Sequence, residues 1–94
     1  ANGYNEQIEV TAVPLEQLSG QFELIVANIL AEENVRLAQA LLARLIPGGH
    51  LILSGILKEK EEFVRQGFAP YPLQSFPTRY HEDWVCLIYQ SKAS

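Results

Sequence analysis

Basic residues are scarce in this sequence: seven Lys and Arg stand against eleven Asp and Glu in 94 residues, a formal net charge of -4. A surface that grips a phosphate backbone needs clustered cations. Here they are scattered, so no direct nucleic-acid binding is indicated. Cysteine occurs once, at Cys86, which excludes an internal disulfide and any multi-cysteine metal site. It sits in the apolar run Trp84-Val85-Cys86-Leu87-Ile88-Tyr89, where a small buried core thiol is expected rather than a nucleophile. A lone unpaired thiol suits a reducing compartment. No apolar stretch approaches the roughly 20 residues of a membrane span. Ala1-Asn2-Gly3-Tyr4-Asn5 lacks the basic and apolar regions of a signal peptide, and the cytoplasm is the expected location.

What is present is ordinary globular composition, 48% hydrophobic and 19% charged, enough for one small domain with a modest core and too apolar for disorder. Asn2-Gly3 looks like the exit of a helix lying upstream. Residues 8–13 alternate and are β-branched, which predicts a strand; residues 15–20 read as a link. Residues 22–27 are almost continuously apolar, as in a parallel strand covered on both faces. Val35, Ala38, Leu41, Leu42 and Leu45 fall at helical spacing and predict one helix over 32–45, ended by Pro47-Gly48-Gly49. A second buried strand follows over 50–55. Then comes a helix over 58–66, with Phe63 and Val64 inward and Gly67 as its stop. Pro70, Pro72 and Pro77 exclude a helix beyond it, leaving 73–79 as an interrupted or edge strand. Tyr80-His81-Glu82-Asp83 is turn-like, residues 84–89 form a final strand antiparallel to its predecessor, and the tail from Ser91 is loose. The order predicts an α/β sheet, mostly parallel, with a terminal antiparallel hairpin.

Four segments together resemble one family. They are Phe22-Glu23-Leu24-Ile25-Val26-Ala27-Asn28-Ile29-Leu30-Ala31, Leu45-Ile46-Pro47-Gly48-Gly49, Leu51-Ile52-Leu53-Ser54-Gly55-Ile56-Leu57 and Trp84-Val85. Pro-Gly-Gly after a helix is common among class I methyltransferases; the Asn-Ile-Leu and Ser-Gly-Ile-Leu pair at this separation is more specific. The series resembles the bacterial PrmA family, which methylates protein L-eleven of the large ribosomal subunit. The resemblance implies a Rossmann-like, S-adenosyl-L-methionine-dependent fold, of which this chain would supply strands three to seven as the C-terminal part of the catalytic domain. The glycine-rich turn that cradles the cofactor would lie upstream. No Gly-x-Gly-x-Gly run occurs in the 94 residues, so the chain alone is expected neither to bind the cofactor nor to be active. A Gly-Asp common in the family is replaced here by Ala12-Val13-Pro14.

Asn28 follows a buried strand directly, at the carboxyl edge where open α/β sheets bind ligands. In the resembling family this asparagine lies against the cofactor and corresponds to the first residue of the Asn-Pro-Pro-Tyr motif of other amino-methylating enzymes. A carboxamide can accept hydrogen bonds from an amine and hold its lone pair toward a methyl group. The plainer alternative is that Asn28 caps the next helix. Ile29, Leu30 and Ala31, with Ser54 and Gly55, would shape the substrate pocket. Ser54 lacks a Gly-x-Ser-x-Gly elbow, and neither His50 nor His81 has triad spacing. His50 is expected to be exposed. His81-Glu82-Asp83 reads as a solvated hairpin rather than a metal cluster, residues 58–62 as a solvated mixed-charge helix face, and Tyr80 with Trp84 as packing at the hairpin base.

Two other classes compete with the enzyme. One is a non-catalytic α/β interaction module that has lost the cofactor half and binds a partner by strand addition; the other is half of a different nucleotide-binding protein, such as a dehydrogenase, which the hairpin and the Asn-Ile-Leu turn count against. The strand over 22–27 would carry an exposed apolar edge, so either self-association there or a fold-back of the strand over 8–13 is expected.

Overall fold

The computed structural model describes residues 5–10 and 20–92. Six strands form one sheet in the order β1-β2-β3-β6-β4, with β5 also on β6. Strands β1 (Asn5–Val10), β2 (Phe22–Asn28) and β3 (Leu45–Leu57) run parallel, and β6 (Trp84–Ser91) pairs antiparallel with β3. This is the mostly parallel α/β sheet with an antiparallel end that the sequence predicts.

Strands β4 (Leu73–Ser75) and β5 (Arg79–His81) both pair antiparallel with β6. They are two pieces of one edge strand. The Phe76 N–H continues the ladder by donating to the Ile88 carbonyl at 2.9 Å, and Pro77, which has no N–H to give, falls in the gap. The segment is thus both interrupted and at the edge, and it runs further than expected: Tyr80 and His81, read as turn, belong to β5. Ser91 belongs to β6 rather than to a loose tail, and the Lys92 N–H donates to the Pro72 carbonyl at 3.0 Å.

The predicted long helix is two short ones, α1 (Ala31–Arg36) and α2 (Ala38–Ala43), with a break at Leu37. Ala31, Asn34, Ala38 and Leu41 are all buried, so the inward face continues across the break. Pro47-Gly48-Gly49 does not end the helix. Leu45 already pairs with Phe22, and the register shift between Phe22 and Leu24 absorbs the Pro-Gly-Gly segment into β3. Burial of Leu45 against the sheet outweighs one further helical residue.

A 3-10 turn (Lys58–Lys60) leads into α3 (Glu61–Phe68). Val64 faces inward as expected, but its partner is Phe68, one turn on, and Phe63 is 46% exposed. Gly67 lies inside α3 rather than ending it, because its missing Cβ lets the helix lie against Val35.

The core joins Ala31, Ala38, Leu41, Val64 and Phe68 of the helices to alternate strand residues, among them Ile25, Leu51, Leu53, Ile56, Val85 and Leu87. The neighbours facing the other way, Leu24, Val26, Ile52, Cys86 and Ile88, are only half-buried. Among the described residues the helices therefore cover one face of the sheet, where the apolar run over 22–27 predicts two. Cys86 belongs to the less covered face, not to the core. Along the open side of β2 runs β1, from Asn5 beside Phe22 to Val10 beside Ala27; of the two outcomes expected for that edge, the strand that folds back is observed. It begins earlier than predicted, and residues 11–13, Asn2-Gly3, Ala12-Val13-Pro14 and most of the link over 15–20 lie outside the described residues. Among the described residues no helix is long and apolar enough to cross a membrane.

Candidate functional site at the carboxyl ends of β2 and β3

Asn28 is the last residue of β2 and pairs with Ser54 of β3. The strand behind it is fixed in the core by Ile25 and Ala27, whose side chains are fully buried, while Asn28 itself is exposed. A rigid strand thus delivers a polar side chain to the sheet edge.

Beyond Ser54, β3 is irregular. Its register with β6 shifts between Leu53 and Ile56, placing a bulge at Ser54-Gly55, and Gly55 has φ +74. Bulges re-aim side chains and recur beside functional sites. Here the bulge brings the Gly55 backbone under the Asn28 side chain: a Cβ built on Gly55 would collide with Asn28 Oδ1.

Asn28 does not cap the helix that follows. The N-cap of α1 is Leu30, in extended conformation and with no side-chain capping bond. Among the described residues the Asn28 carboxamide makes no hydrogen bond, which leaves its acceptor and donors for something else. Register and chain path bring Asn28, Ser54 and Gly55 together, with Ile29 half-buried behind and Leu30 69% exposed. Ala31 is different. Its side chain packs in the core, so only its backbone is available to a pocket. All six residues are uncharged.

One residue escapes the sequence reading. Asn34 is wholly buried; its Nδ2 donates to the Ile29 carbonyl at 3.2 Å, and its Oδ1 has no hydrogen-bond partner among the described residues. The signal was an asparagine at core spacing within Ala31, Asn34, Ala38 and Leu41, where an apolar residue is the rule.

Several charged groups of the flanking helices are paired. Glu32 bonds Lys60 at 2.9 Å, and that hydrogen bond holds its carboxyl below the usual range and raises the Lys60 ammonium. Glu33 is lowered by its 2.6 Å bond to Arg36. On the far side, the Tyr80 hydroxyl donates to Glu61 at 3.0 Å, which raises the Tyr80 pKa. Arg65 reaches both Glu61, at 2.9 Å, and Thr78. Tyr80 therefore ties β5 to α3 rather than packing at the hairpin base, and Trp84 is 47% exposed. Burial raises the Cys86 thiol, which disfavours the nucleophilic thiolate. His50 is exposed with its ring 5.9 Å from that of Phe76; His81, Glu82 and Asp83 are exposed around the hairpin turn.

Known proteins sharpen this picture. The crystal structure of ribosomal protein L11 methylase from Lactobacillus delbrueckii subsp. bulgaricus matches with a TM-score of 0.77 at 33% identity, over 83% of this chain and 41% of that one. A methyltransferase from Pyrococcus furiosus shares the fold at a TM-score of 0.63 and 19% identity, over 80% of this chain and 43% of that one. The sheet is thus of the methyltransferase class. The family model described as "Ribosomal protein L11 methyltransferase (PrmA)" matches residues 1–92, and the chain belongs to that family. The ribosomal protein L11 methyltransferase of Syntrophotalea carbinolica is 54% identical over 92 residues, covering 98% of this chain and 30% of that protein. Its counterpart in Geotalea daltonii is 48% identical over 86 residues, covering 92% and 27%. The chain therefore spans about 30% of the length of the curated relatives it matches.

Proposed function

We propose that this chain is the C-terminal part of the catalytic domain of an S-adenosylmethionine-dependent protein N-methyltransferase acting on lysine or terminal amines of a ribosomal protein, the L11 named in its relatives. The observation that carries this is the Asn28 carboxamide, exposed at the end of β2, lying against Gly55 and not engaged in capping α1. Its Oδ1 and neighbouring backbone carbonyls accept the N–H groups of an uncharged amine and hold its lone pair on one line. S-adenosylmethionine, when bound, supplies the methyl group. The chain's own part is to orient the amine, to present no cation at the strand end, and to shape the pocket with Ile29, Leu30, the Ala31 backbone, Ser54 and Gly55. Asn28 is also this chain's contact to the cofactor, whose glycine-rich cradle is absent from these 94 residues. The chain alone should therefore be inactive.

The rival reading, a non-catalytic module that binds a partner by strand addition at its open edge, gains no specific support; β1 covers β2 and is itself the outer strand. The test is a graft. Residues 1–92 replace the matched segment of the Syntrophotalea carbinolica relative, and labelled methyl transfer from S-adenosylmethionine to ribosomal protein L11 is measured. Activity in the graft and none in the isolated chain is expected. A folded graft that binds cofactor but methylates nothing contradicts the proposal.

A further inference from the structure

Two residues bear on the geometry of Asn28. The first is Gly55. Both Gly48 and Gly55 have the positive φ that favours glycine, +83 and +74, but their surroundings differ. A Cβ on Gly48 would meet nothing within 4 Å, whereas on Gly55 it would strike the Asn28 Oδ1, with Cγ 3.7 Å away. Gly48 serves the backbone alone; Gly55 also leaves open the space that the carboxamide occupies.

The second is Asn34. Burying an amide is costly unless it is fully bonded, and this one has a single bond, to the carbonyl of Ile29, the residue after Asn28. Turning the amide over would set oxygen against oxygen, so the orientation is fixed. A leucine would fill an apolar site without that cost. What the asparagine provides instead is a tether on the bend between β2 and α1.

We propose that Gly55 and Asn34 are positioning residues for Asn28. Gly55, having no Cβ, leaves open the direction the carboxamide takes, and Asn34 holds the backbone from which the carboxamide springs by anchoring the Ile29 carbonyl. Together they hold one acceptor aimed at a primary amine before it arrives. The purpose of the device rests on the amine-acceptor role of Asn28; its geometry does not.

The experiment has two arms. In the 94-residue chain, three-bond couplings about χ1 of Asn28 are measured by NMR for the wild type, Gly55→Ala, Gly48→Ala and Asn34→Leu. Gly55→Ala is expected to move Asn28 to another rotamer, Asn34→Leu to average its couplings, and Gly48→Ala to leave them unchanged. Either Gly55→Ala or Asn34→Leu leaving the couplings at wild-type values removes that residue from the role. If Gly55→Ala does not fold, Gly55→Ala combined with Asn28→Ala decides: recovery of the folded spectrum supports the clash with the carboxamide, and no recovery overturns it. In the graft, Gly55→Ala and Asn34→Leu should lower kcat by about 10-fold or more, as small misplacements do, with KM for the ribosomal substrate within about 2-fold. A change confined to KM overturns the proposal. If Asn28→Ala leaves kcat intact while the couplings behave as stated, the amine-acceptor role falls and the geometry stands.

Discussion

Gly67 of α3 lies so close to Val35 of α1 that a Cβ on Gly67 would come within 2.7 Å of both Val35 γ-carbons. The two helices meet where one of them has no side chain. Gly67→Ala would favour the helix intrinsically by about 1 kcal/mol, but it forces overpacking that costs about 1–3 kcal/mol. Net destabilisation is expected in chemical denaturation, with recovery when Val35→Ala is added. A simple gain from Gly67→Ala would show that the helices do not meet as described.

The same logic separates core from surface on β3 and α3. Leu53 is fully buried while Phe63 is 46% exposed. Leu53→Ala should cost about 2–5 kcal/mol, and Phe63→Ser, at a part-exposed ring with the Lys60 ammonium 5.8 Å away, should cost clearly less, about 1 kcal/mol. Urea unfolding midpoints compare the two directly. Equal losses would contradict the burial pattern.

Much of this was legible beforehand. Apolar runs over 22–27 and 50–55 and the closing run from Trp84 located the central strands, and the prolines showed that no helix follows α3 and that the strand after it is interrupted or at an edge, because a missing N–H acts locally. What depended on packing was not legible. The break at Leu37 and the absorption of Pro47-Gly48-Gly49 into β3 follow from sheet register. The placement of Gly67 within α3 follows from the approach of Val35, and the outward turn of Phe63 from the claim of Phe68 on the core. Among the candidate residues, the position of Asn28 at the end of a strand was legible. Its relation to Gly55 depends on a bulge in the pairing with β6, distant in sequence, and the burial of Asn34 depends on how α1 packs on the sheet.

The pH dependence follows from the paired groups. Glu32 and Glu33 have lowered pKa values when folded, so their contribution is present above the ordinary glutamate pKa of about 4.3 and is lost as pH falls through the lower folded values. Tyr80, bonded to Glu61, and Tyr89, raised by burial, shift upward. Their contribution is present below the ordinary tyrosine pKa of about 10 and is lost as pH rises through the higher folded values. Thermal midpoints should fall at both extremes, with added salt weakening the acid-side effect and Tyr80→Phe reducing the alkaline fall, to which Tyr89 and Cys86 still contribute. A flat acid limb would mean that the Glu32–Lys60 and Glu33–Arg36 pairs do not form in solution.

Strand β1 matters for association. It pairs with β2 through Ile8 beside Ile25 and Val10 beside Ala27, and exposed apolar strand edges invite self-pairing. Deleting residues 1–10 should raise the apparent mass in light scattering and speed hydrogen exchange in β2. A truncated chain that stays monomeric, with β2 still protected, would show that β1 does not guard the edge.

The central claim is that Asn28 holds the amine during methyl transfer, and steady-state kinetics of the grafted enzyme test it most directly. Asn28→Ala should lower kcat for ribosomal protein L11 by about 100-fold or more, while the thermal midpoint stays close to that of the unsubstituted graft. Undiminished kcat in a folded Asn28→Ala enzyme would contradict the account.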